Sequence, residues 1–182
     1  MTTLSDRPNT ALVVIDMQNG VVSNAHNRDA VISNISVLVA RARTAGVPVV
    51  WVQHNDEELV HGSAEWQLVD GLGVADGEPV VDKSYNDSFE ETSLGDHLAA
   101  LGAGRLVIAG AQTEWCIRST LHGAIARGYD ALLVSDAHTT EDMSAEIPAT
   151  SIIDLTNRYW RWHAVPGRTA GTLTAAEVSF AG

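Results

Sequence analysis

Three residues in this 182-residue sequence could together hydrolyse a carbonyl compound: Asp16, Lys83 and Cys116. Asp16 directly follows an apolar run, Lys83 follows the strand-like run at residues 79–82, and Cys116 follows the run at residues 105–110. A carboxylate can accept the thiol proton, and an ammonium can keep that carboxylate ionised and favour the thiolate. The thiol can then attack a carbonyl carbon and form a thioester that water hydrolyses. These residue types therefore predict covalent hydrolysis, provided that the fold brings them together.

Cys116 is the single cysteine of the sequence, and it begins a stretch with Ile117, Leu121 and Ala124 at helical spacing. A thiol at a helix N-terminus faces the positive end of the helix dipole, which favours the thiolate. A lone cysteine can equally be a small buried apolar residue. The joint occurrence of Asp16 and Lys83 at equivalent places favours the catalytic interpretation.

The segments that must position these side chains alternate between strand-like and helical patterns. Strand-like runs cover residues 11–15, 47–53, 79–82, 105–109 and 131–135, with a last short run at 163–165; helical patterns cover about 28–45, 92–101, 116–127, 144–158 and 174–180. Continuous apolar strands alternating with helices predict a parallel sheet covered on both faces. In such sheets, ligands bind beyond the carboxyl ends of the strands, where the three reactive side chains fall.

Composition predicts a single domain over residues 1–182, because the sequence shows no linker, repeat or low-complexity tract. The formal net charge of −12 argues against binding to nucleic acid or to an anionic membrane. No apolar run approaches the roughly 20 residues of a membrane span, and the first residues lack a signal-peptide pattern. A single cysteine suits a reducing compartment, so we expect a cytoplasmic protein.

Three segments, in this order, resemble motifs of the isochorismatase-like cysteine hydrolases, a superfamily of nicotinamidases, N-carbamoylsarcosine amidases and related enzymes. They are Val13-Val-Ile-Asp-Met-Gln18, Asp82-Lys83 with Ser88-Phe89, and Gly110-Ala-Gln-Thr-Glu-Trp-Cys116. The resemblance implies a three-layer, doubly wound α/β fold with a six-stranded parallel sheet and helices on both faces. It also implies that Asp16, Lys83 and Cys116 form the catalytic triad and that the chain assembles as a homodimer or homotetramer.

The resemblance further implies an oxyanion hole. A non-proline cis peptide would join Ala111 to Gln112, and the backbone N–H groups of Gln112 and Cys116 would face the developing oxyanion. Thr113 and Glu114 are candidates to hold this turn by hydrogen bonds. Candidates for substrate contact lie in or near the motifs or after strand ends: Gln18, His54, Tyr85, Phe89, Glu114 and Trp115.

A metal site is the less favoured interpretation of the histidines after the second strand. Nicotinamidases have an Asp-x-His pair and a further histidine at a metal, whereas this chain has His54-Asn-Asp56, in the opposite order, with His61 beyond. Zinc sites need at least three convergent ligands. We therefore expect no metal and no cofactor, with a zinc site at these three residues as the alternative.

The predicted function is cleavage of a C–N bond in a small amide, ureide or lactam through a thioester on Cys116. Isochorismatase-type vinyl ether hydrolysis is an alternative that would need Asp16 but depend little on Cys116. A non-catalytic, flavodoxin-like binding module is a third, although residues 17–22 hold a single glycine, too few for a phosphate loop. The aromatic cluster at residues 159–162 suits either a subunit interface or the core.

Overall fold

The computed structural model describes residues 2–180, which form seven strands, four α-helices and one π-helical turn. In chain order they are β1 (Asn9–Ile15), α1 (Arg28–Thr44), β2 (Val49–His54), β3 (Val80–Lys83), α2 (Leu94–Ala100), β4 (Ala103–Ala111), the π-turn (Thr113–Ile117), α3 (Arg118–Ala126), β5 (Asp130–Thr139), α4 (Ala149–Arg161), β6 (Ala164–Val165) and β7 (Arg168–Leu173). None of the helices within residues 2–180 is long and apolar enough to cross a membrane.

The strands form one sheet in the order β3-β2-β1-β4-β5-β7-β6. Every neighbouring pair is parallel except β6 and β7, which are antiparallel. Six parallel strands confirm the predicted doubly wound sheet, and the two-residue β6 adds a seventh strand at its edge. The order of the strands reverses between β1 and β4, which is where such folds bind ligands.

Helices cover both faces of this sheet. Along β1, Val13 and Ile15 belong to a core that includes residues of α2 and α3, whereas Leu12 and Val14 belong to a second core with α1. Successive residues of a strand point to opposite faces, so a strand that is buried on both must be apolar throughout. This explains the unbroken apolar run of β1 and confirms the predicted three-layer architecture.

Gly110 lets β4 approach β1 beside the point where both strands end. Its φ is +129°, a conformation that residues with a side chain rarely adopt, and a Cβ atom there would lie 2.0 Å from the carbonyl oxygen of Ile15. Ile15 immediately precedes Asp16, and Gly110 lies six residues before Cys116. Only glycine therefore allows the two strand ends to converge this closely.

The structure corrects the sequence prediction near the C-terminus. Residues 174–180 form a turn and irregular chain rather than a helix, and the sixth parallel strand is β7 rather than residues 163–165. β7 has the sequence RTAGTL and is mostly half-buried, so it lacks the apolar run that marks the other strands. Helix α4 begins at Ala149 instead of near Ser144, because Pro148 precedes it in an extended conformation and suits the helix boundary.

Candidate active site

Asp16, Lys83 and Cys116 meet at the carboxyl ends of β1, β3 and β4. The Nζ atom of Lys83 lies 2.8 Å from Oδ2 of Asp16 and 3.2 Å from Sγ of Cys116. The side chain of Lys83 is fully buried, and that of Asp16 is 1% exposed. The fold thus brings the predicted carboxylate, ammonium and thiol into direct contact.

Unusual backbone conformations present two of these side chains. Asp16 has a φ of +52°, in the left-handed region that few residues other than glycine occupy and that aspartate tolerates better than most. Cys116 lies inside the π-turn, in which the N–H of Ile117 donates to the carbonyl oxygen of Gln112 at 3.2 Å. Isolated π-turns occur frequently at functional sites. The α-helix that Cys116 was expected to begin starts two residues later, at Arg118.

The peptide bond between Ala111 and Gln112 is cis, as the resemblance implied. Gln112 leads into the π-turn from an extended conformation and lines the same cavity as Cys116. The assignment of the Gln112 and Cys116 N–H groups to an oxyanion hole stays a prediction. Both residues line the cavity, which is compatible with this role.

Lys83 uses all three of its N–H donors. Besides Asp16 and Cys116, its Nζ contacts Nδ1 of His54 at 3.2 Å, and Nε2 of His54 lies 3.0 Å from Oδ2 of Asp56. An ammonium can only donate, so Nδ1 accepts and Nε2–H donates to the aspartate. His54 is therefore a neutral imidazole that connects the buried lysine to an exposed carboxylate.

Burial alone would lower the pKa of Lys83, but the negative charges of Asp16 and of Cys116 in its thiolate form raise that pKa above its ordinary value. Lys83 therefore stays an ammonium. Burial, followed by the charge of Asp16, raises the pKa of the Cys116 thiol to about 12, although Lys83 opposes both effects. Burial and the charge of Asp16 therefore oppose the expected stabilisation of the thiolate by Lys83, and they favour the thiol form of Cys116 in this geometry.

A cavity of about 430 Å³ opens above these residues, and Asp16 and Cys116 both line it. This volume suits a small molecule. Of the residues predicted to contact substrate, His54 and the half-exposed Trp115 line the cavity. Several other lining residues were not predicted from the sequence, among them Glu58, Glu65, Asn86 and Glu141. Asn86 and Glu141 follow the ends of β3 and β5, so they could have been predicted from their positions after strand ends.

Gln18 is fully buried and does not line the cavity. Its Oε1 atom accepts the N–H of His54 at 2.8 Å, and its Nε2 atom donates to the carbonyl oxygens of His54 and Trp66 at 2.9 and 3.0 Å. The side chain thus ties the end of β1 to the end of β2. This contact corrects the expected role of Gln18 from binding substrate to positioning His54.

Three other expected substrate contacts also lie outside the cavity lining. Phe89 is 8% exposed and packs in the core, with its ring 5.5 Å from that of Tyr129. Tyr85 is half exposed but does not line the cavity. Glu114 accepts a hydrogen bond from the hydroxyl of Thr140 at 3.0 Å, which supports the alternative expectation that it holds the turn. These three residues were expected at the cavity because they lie near Lys83 or Cys116 in sequence. Side chains that are neighbours in sequence, however, point in different directions.

His138, at the end of β5, holds the π-turn from behind. Its Nδ1 atom lies 2.9 Å from the hydroxyl oxygen of Thr113, and its Nε2 atom lies 3.1 Å from Oδ1 of Asn157 in α4. Burial lowers the pKa of His138 to about 4, so the ring is neutral near pH 7. Thr113 thus supports the turn, as expected, through its contact with His138, which was not predicted to have a role.

His61 lies in a different environment from His54 and Asp56. Its Nε2 atom is 3.5 Å from Asp82, and its ring centroid is 4.1 Å from that of Trp66. Within residues 2–180, no three histidine, cysteine or acidic side chains are grouped closely enough to hold a metal ion together. Both ring nitrogens of His54 are already engaged, so the geometry does not favour the alternative zinc site.

Comparison with known proteins finds similar sequences over most of the chain. The model of the isochorismatase domain matches residues 10–159. Streptothricin hydrolase of Streptomyces noursei is 35% identical over 146 residues, which cover 76% of this chain and 58% of that protein. A probable inactive nicotinamidase of Arabidopsis thaliana is 33% identical over 176 residues, with 82% and 89% covered. Ureidoacrylate amidohydrolase RutB of Methylobacterium radiotolerans is 29% identical over 174 residues, with 72% and 67% covered.

Solved structures show the same architecture. The crystal structure of an isochorismatase family protein superposes with a TM-score of 0.82 at 30% sequence identity, covering 92% of this chain and 99% of the other. The match to the isochorismatase domain, over residues 10–159, runs from β1 into α4 and includes Asp16, Lys83 and Cys116.

Proposed function

This chain belongs to the isochorismatase domain family of hydrolases, and we propose that it cleaves the C–N bond of a small amide, ureide or lactam through a thioester on Cys116. The observation that supports this proposal most strongly is the contact of Lys83 with both Asp16 and Cys116 beneath the cavity. One relative is named as an amidohydrolase and another as a probable inactive nicotinamidase. This chain retains all three groups that covalent catalysis needs.

The first step couples proton transfer to attack. Because burial and the charge of Asp16 raise the pKa of the Cys116 thiol to about 12, the proton leaves as the carbon–sulphur bond forms. Asp16 accepts this proton. Lys83 keeps its own proton and stabilises the negative charge that passes from Asp16 to the sulphur and then to the substrate oxygen.

The second step breaks the carbon–nitrogen bond. The N–H groups of Gln112 and Cys116 stabilise the tetrahedral oxyanion while Asp16 returns the proton to the leaving nitrogen. The amine departs and leaves a thioester on Cys116. Asp16 then removes a proton from water, which attacks the thioester carbon, and the carbon–sulphur bond breaks to release the acid and restore the thiol.

A screen of primary amides, carbamoyl compounds and lactams tests this proposal, with release of ammonia or amine as the readout. We expect Cys116→Ala to remove turnover and Asp16→Asn to lower kcat by about 10²–10⁴-fold. Asp70→Asn is the matched control, because it neutralises an exposed carboxylate outside the cavity. Full activity of Cys116→Ala would contradict a thioester and would favour direct attack by water, as in the vinyl ether alternative.

A further inference from the structure

The cavity above Cys116 has acidic walls. Asp56, Glu58 and Glu65 line it from the segment after β2, and Glu141 lines it from the segment after β5. In the described part of the chain, no arginine or lysine is among its lining residues. Lys83 lies beneath the floor, where Asp16 neutralises its charge. The negative charge of the walls therefore has no cation of the protein beside it within the cavity.

These carboxylates are available to a ligand. Glu58, Glu65 and Glu141 are exposed, and none of them forms an ion pair with a residue in the range 2–180. The backbone N–H of Leu59, with further hydrogen bonds from His54 and Glu58, lowers the pKa of Asp56. Asp56 therefore stays charged at the edge of the cavity.

Backbone contacts hold the acidic segment in place. The N–H of Gly20 donates to the carbonyl oxygen of Glu65 at 2.8 Å, and a Cβ atom on Gly20 would come within 3.1 Å of the Glu65 Cβ atom. Oδ1 of Asp56 accepts the N–H groups of Glu58 and Leu59 at 2.8 and 2.7 Å. These contacts position the backbone at Asp56 and Glu65 without a ligand, which lowers the entropic cost of binding there.

The floor of the cavity independently indicates a polar ligand. Asp16 is 1% exposed and lines the cavity. The Cys116 thiol lies close enough for a side-chain hydrogen bond with Asp16 to help raise its pKa, so this carboxylate is placed to exchange a proton with Cys116 and with a polar group of the substrate. The floor can thus accommodate the reacting amide, and the carboxylates of the walls favour a positive charge on a more distant part of the ligand.

We propose that the substrate is a cationic amide, whose protonated amine or guanidinium binds the wall carboxylates while its carbonyl carbon contacts Cys116. β2 and β5 lie on opposite sides of the β1–β4 pair, so Glu58 and Glu65 approach from one side and Glu141 from the other. The half-exposed ring of Trp115 in the same lining offers an aromatic face to the cation. The position of the carbonyl in this inference rests on the proposed function.

Three amides of equal length test the inference: 5-aminopentanamide, hexanamide and adipamic acid, which at pH 7 end in an ammonium, a methyl and a carboxylate. Ammonia release gives kcat/KM for each. Exposed charge pairs are individually weak, so we expect several together to favour the cationic amide over hexanamide by about tenfold at low salt. The preference should shrink in 0.5 M salt, because at roughly this ionic strength exposed charges are screened over a few ångströms.

A double substitution tests whether the wall carboxylates cause the preference for the cationic amide. Glu65→Gln with Glu141→Gln removes one carboxylate from each side, and the ratio of kcat/KM for the cationic and neutral amides should fall to within about twofold of unity. Glu57→Gln is the matched control, because Glu57 is exposed in the same segment but does not line the cavity. In that control the ratio should equal the wild-type ratio.

Binding of the same three amides to Cys116→Ala, measured by calorimetry, separates this inference from the proposed function. Preferential binding of 5-aminopentanamide without turnover by the wild type would support the charge preference and contradict the proposed chemistry. Equal hydrolysis of all three amides would overturn the charge preference and leave the chemistry standing. Stronger binding of adipamic acid, or binding without any preference, would overturn the inference.

Discussion

Lys83 is the only lysine in the sequence, and the interior of the protein surrounds it completely. Burying an ammonium is costly unless each N–H finds a partner, and this one has a carboxylate, a sulphur and an imidazole nitrogen. The lysine stabilises negative charge on either Asp16 or Cys116. The proton can therefore move between those two groups while the charge of the site stays constant.

The high pKa of Cys116 predicts slow alkylation. At pH 7 iodoacetamide should modify Cys116 more slowly than free cysteine, whose pKa is about 8.5, and the rate should still be rising at pH 10. Asp16→Asn should speed the reaction, because the charge of Asp16 helps to raise this pKa. Mass spectrometry of the single cysteine gives the rates, with glutathione as the reference thiol. A wild-type rate that levels off below pH 8 would contradict the thiol resting state.

The engagement of both His54 nitrogens predicts that turnover does not require a metal. Dialysis against a strong chelator should leave kcat/KM unchanged, and added zinc should not raise it. Asp56→Ala is informative here, because it removes the acceptor of the His54 Nε2–H without touching the triad. Loss of activity on dialysis with recovery on zinc addition would show that His54 and Asp56 bind a metal after all.

At the scale of elements, the π-turn is held between β5 and α4 by one neutral histidine. His138 contacts the Thr113 hydroxyl on one side and the Asn157 amide on the other, and Asn157 also donates to the carbonyl oxygen of Ser135 at 2.9 Å. β5 reaches His138 through an irregularity, because Leu133 pairs with Ile108 whereas His138 pairs with Gly110. This irregularity extends β5 beyond its predicted end at Ser135.

Burial of His138 predicts a loss of stability in mild acid. Its pKa is about 4 in the folded protein and about 6.5 when unfolded, so between these values the unfolded chain binds the extra proton. This contribution to the free energy of unfolding is complete above about pH 6.5 and falls by about 3 kcal/mol as the pH approaches 4. Urea titrations of the wild type and of His138→Gln measure it. The variant should lose less stability over this range; parallel curves would contradict the prediction.

At the scale of the whole molecule, α4 exposes an apolar face to solvent. Leu155, Tyr159 and Trp162 are 60%, 69% and 77% exposed, whereas Trp160 is buried and donates its indole N–H to the carbonyl oxygen of Ala131. The aromatic cluster at residues 159–162 thus divides between the core and the surface. We propose that a second copy of the chain covers this face, since contiguous apolar patches commonly mark interfaces and identical chains pair symmetrically.

Charge along α4 supports pairing between copies. Asp154 and Arg158 lie one turn apart beside the apolar face, so two antiparallel copies of α4 can pair each arginine with the other copy's aspartate. Trp162→Asp should shift the protein toward monomer, because the carboxylate would lose its hydration in the interface. Trp162→Phe, which keeps the apolar contact, is the control. Light scattering that gives the mass of one chain for the wild type at micromolar concentration would contradict the proposal.

The sheet and the location of the site could be predicted from residue types and apolar runs alone. An unbroken apolar run such as residues 11–15 is typical of a strand buried on both faces, and the carboxyl ends of parallel strands meet at one edge. Asp16, Lys83 and Cys116 could therefore be grouped from residue types and strand ends alone. β7 was not predicted, because a half-buried strand can form without an unbroken apolar run.

The pKa of Cys116, the role of Gln18 and the charge of the cavity depend on tertiary contacts and could not be predicted from the sequence. The pKa of Cys116 depends on burial and on the distance to Asp16, a hundred residues earlier in the chain. Gln18 and Phe89 belong to family motifs, yet their side chains turn away from the cavity that Glu65 and Glu141 reach from distant segments. Periodicity describes only neighbours along the chain, whereas electrostatics and cavity shape arise from contacts between segments far apart in sequence.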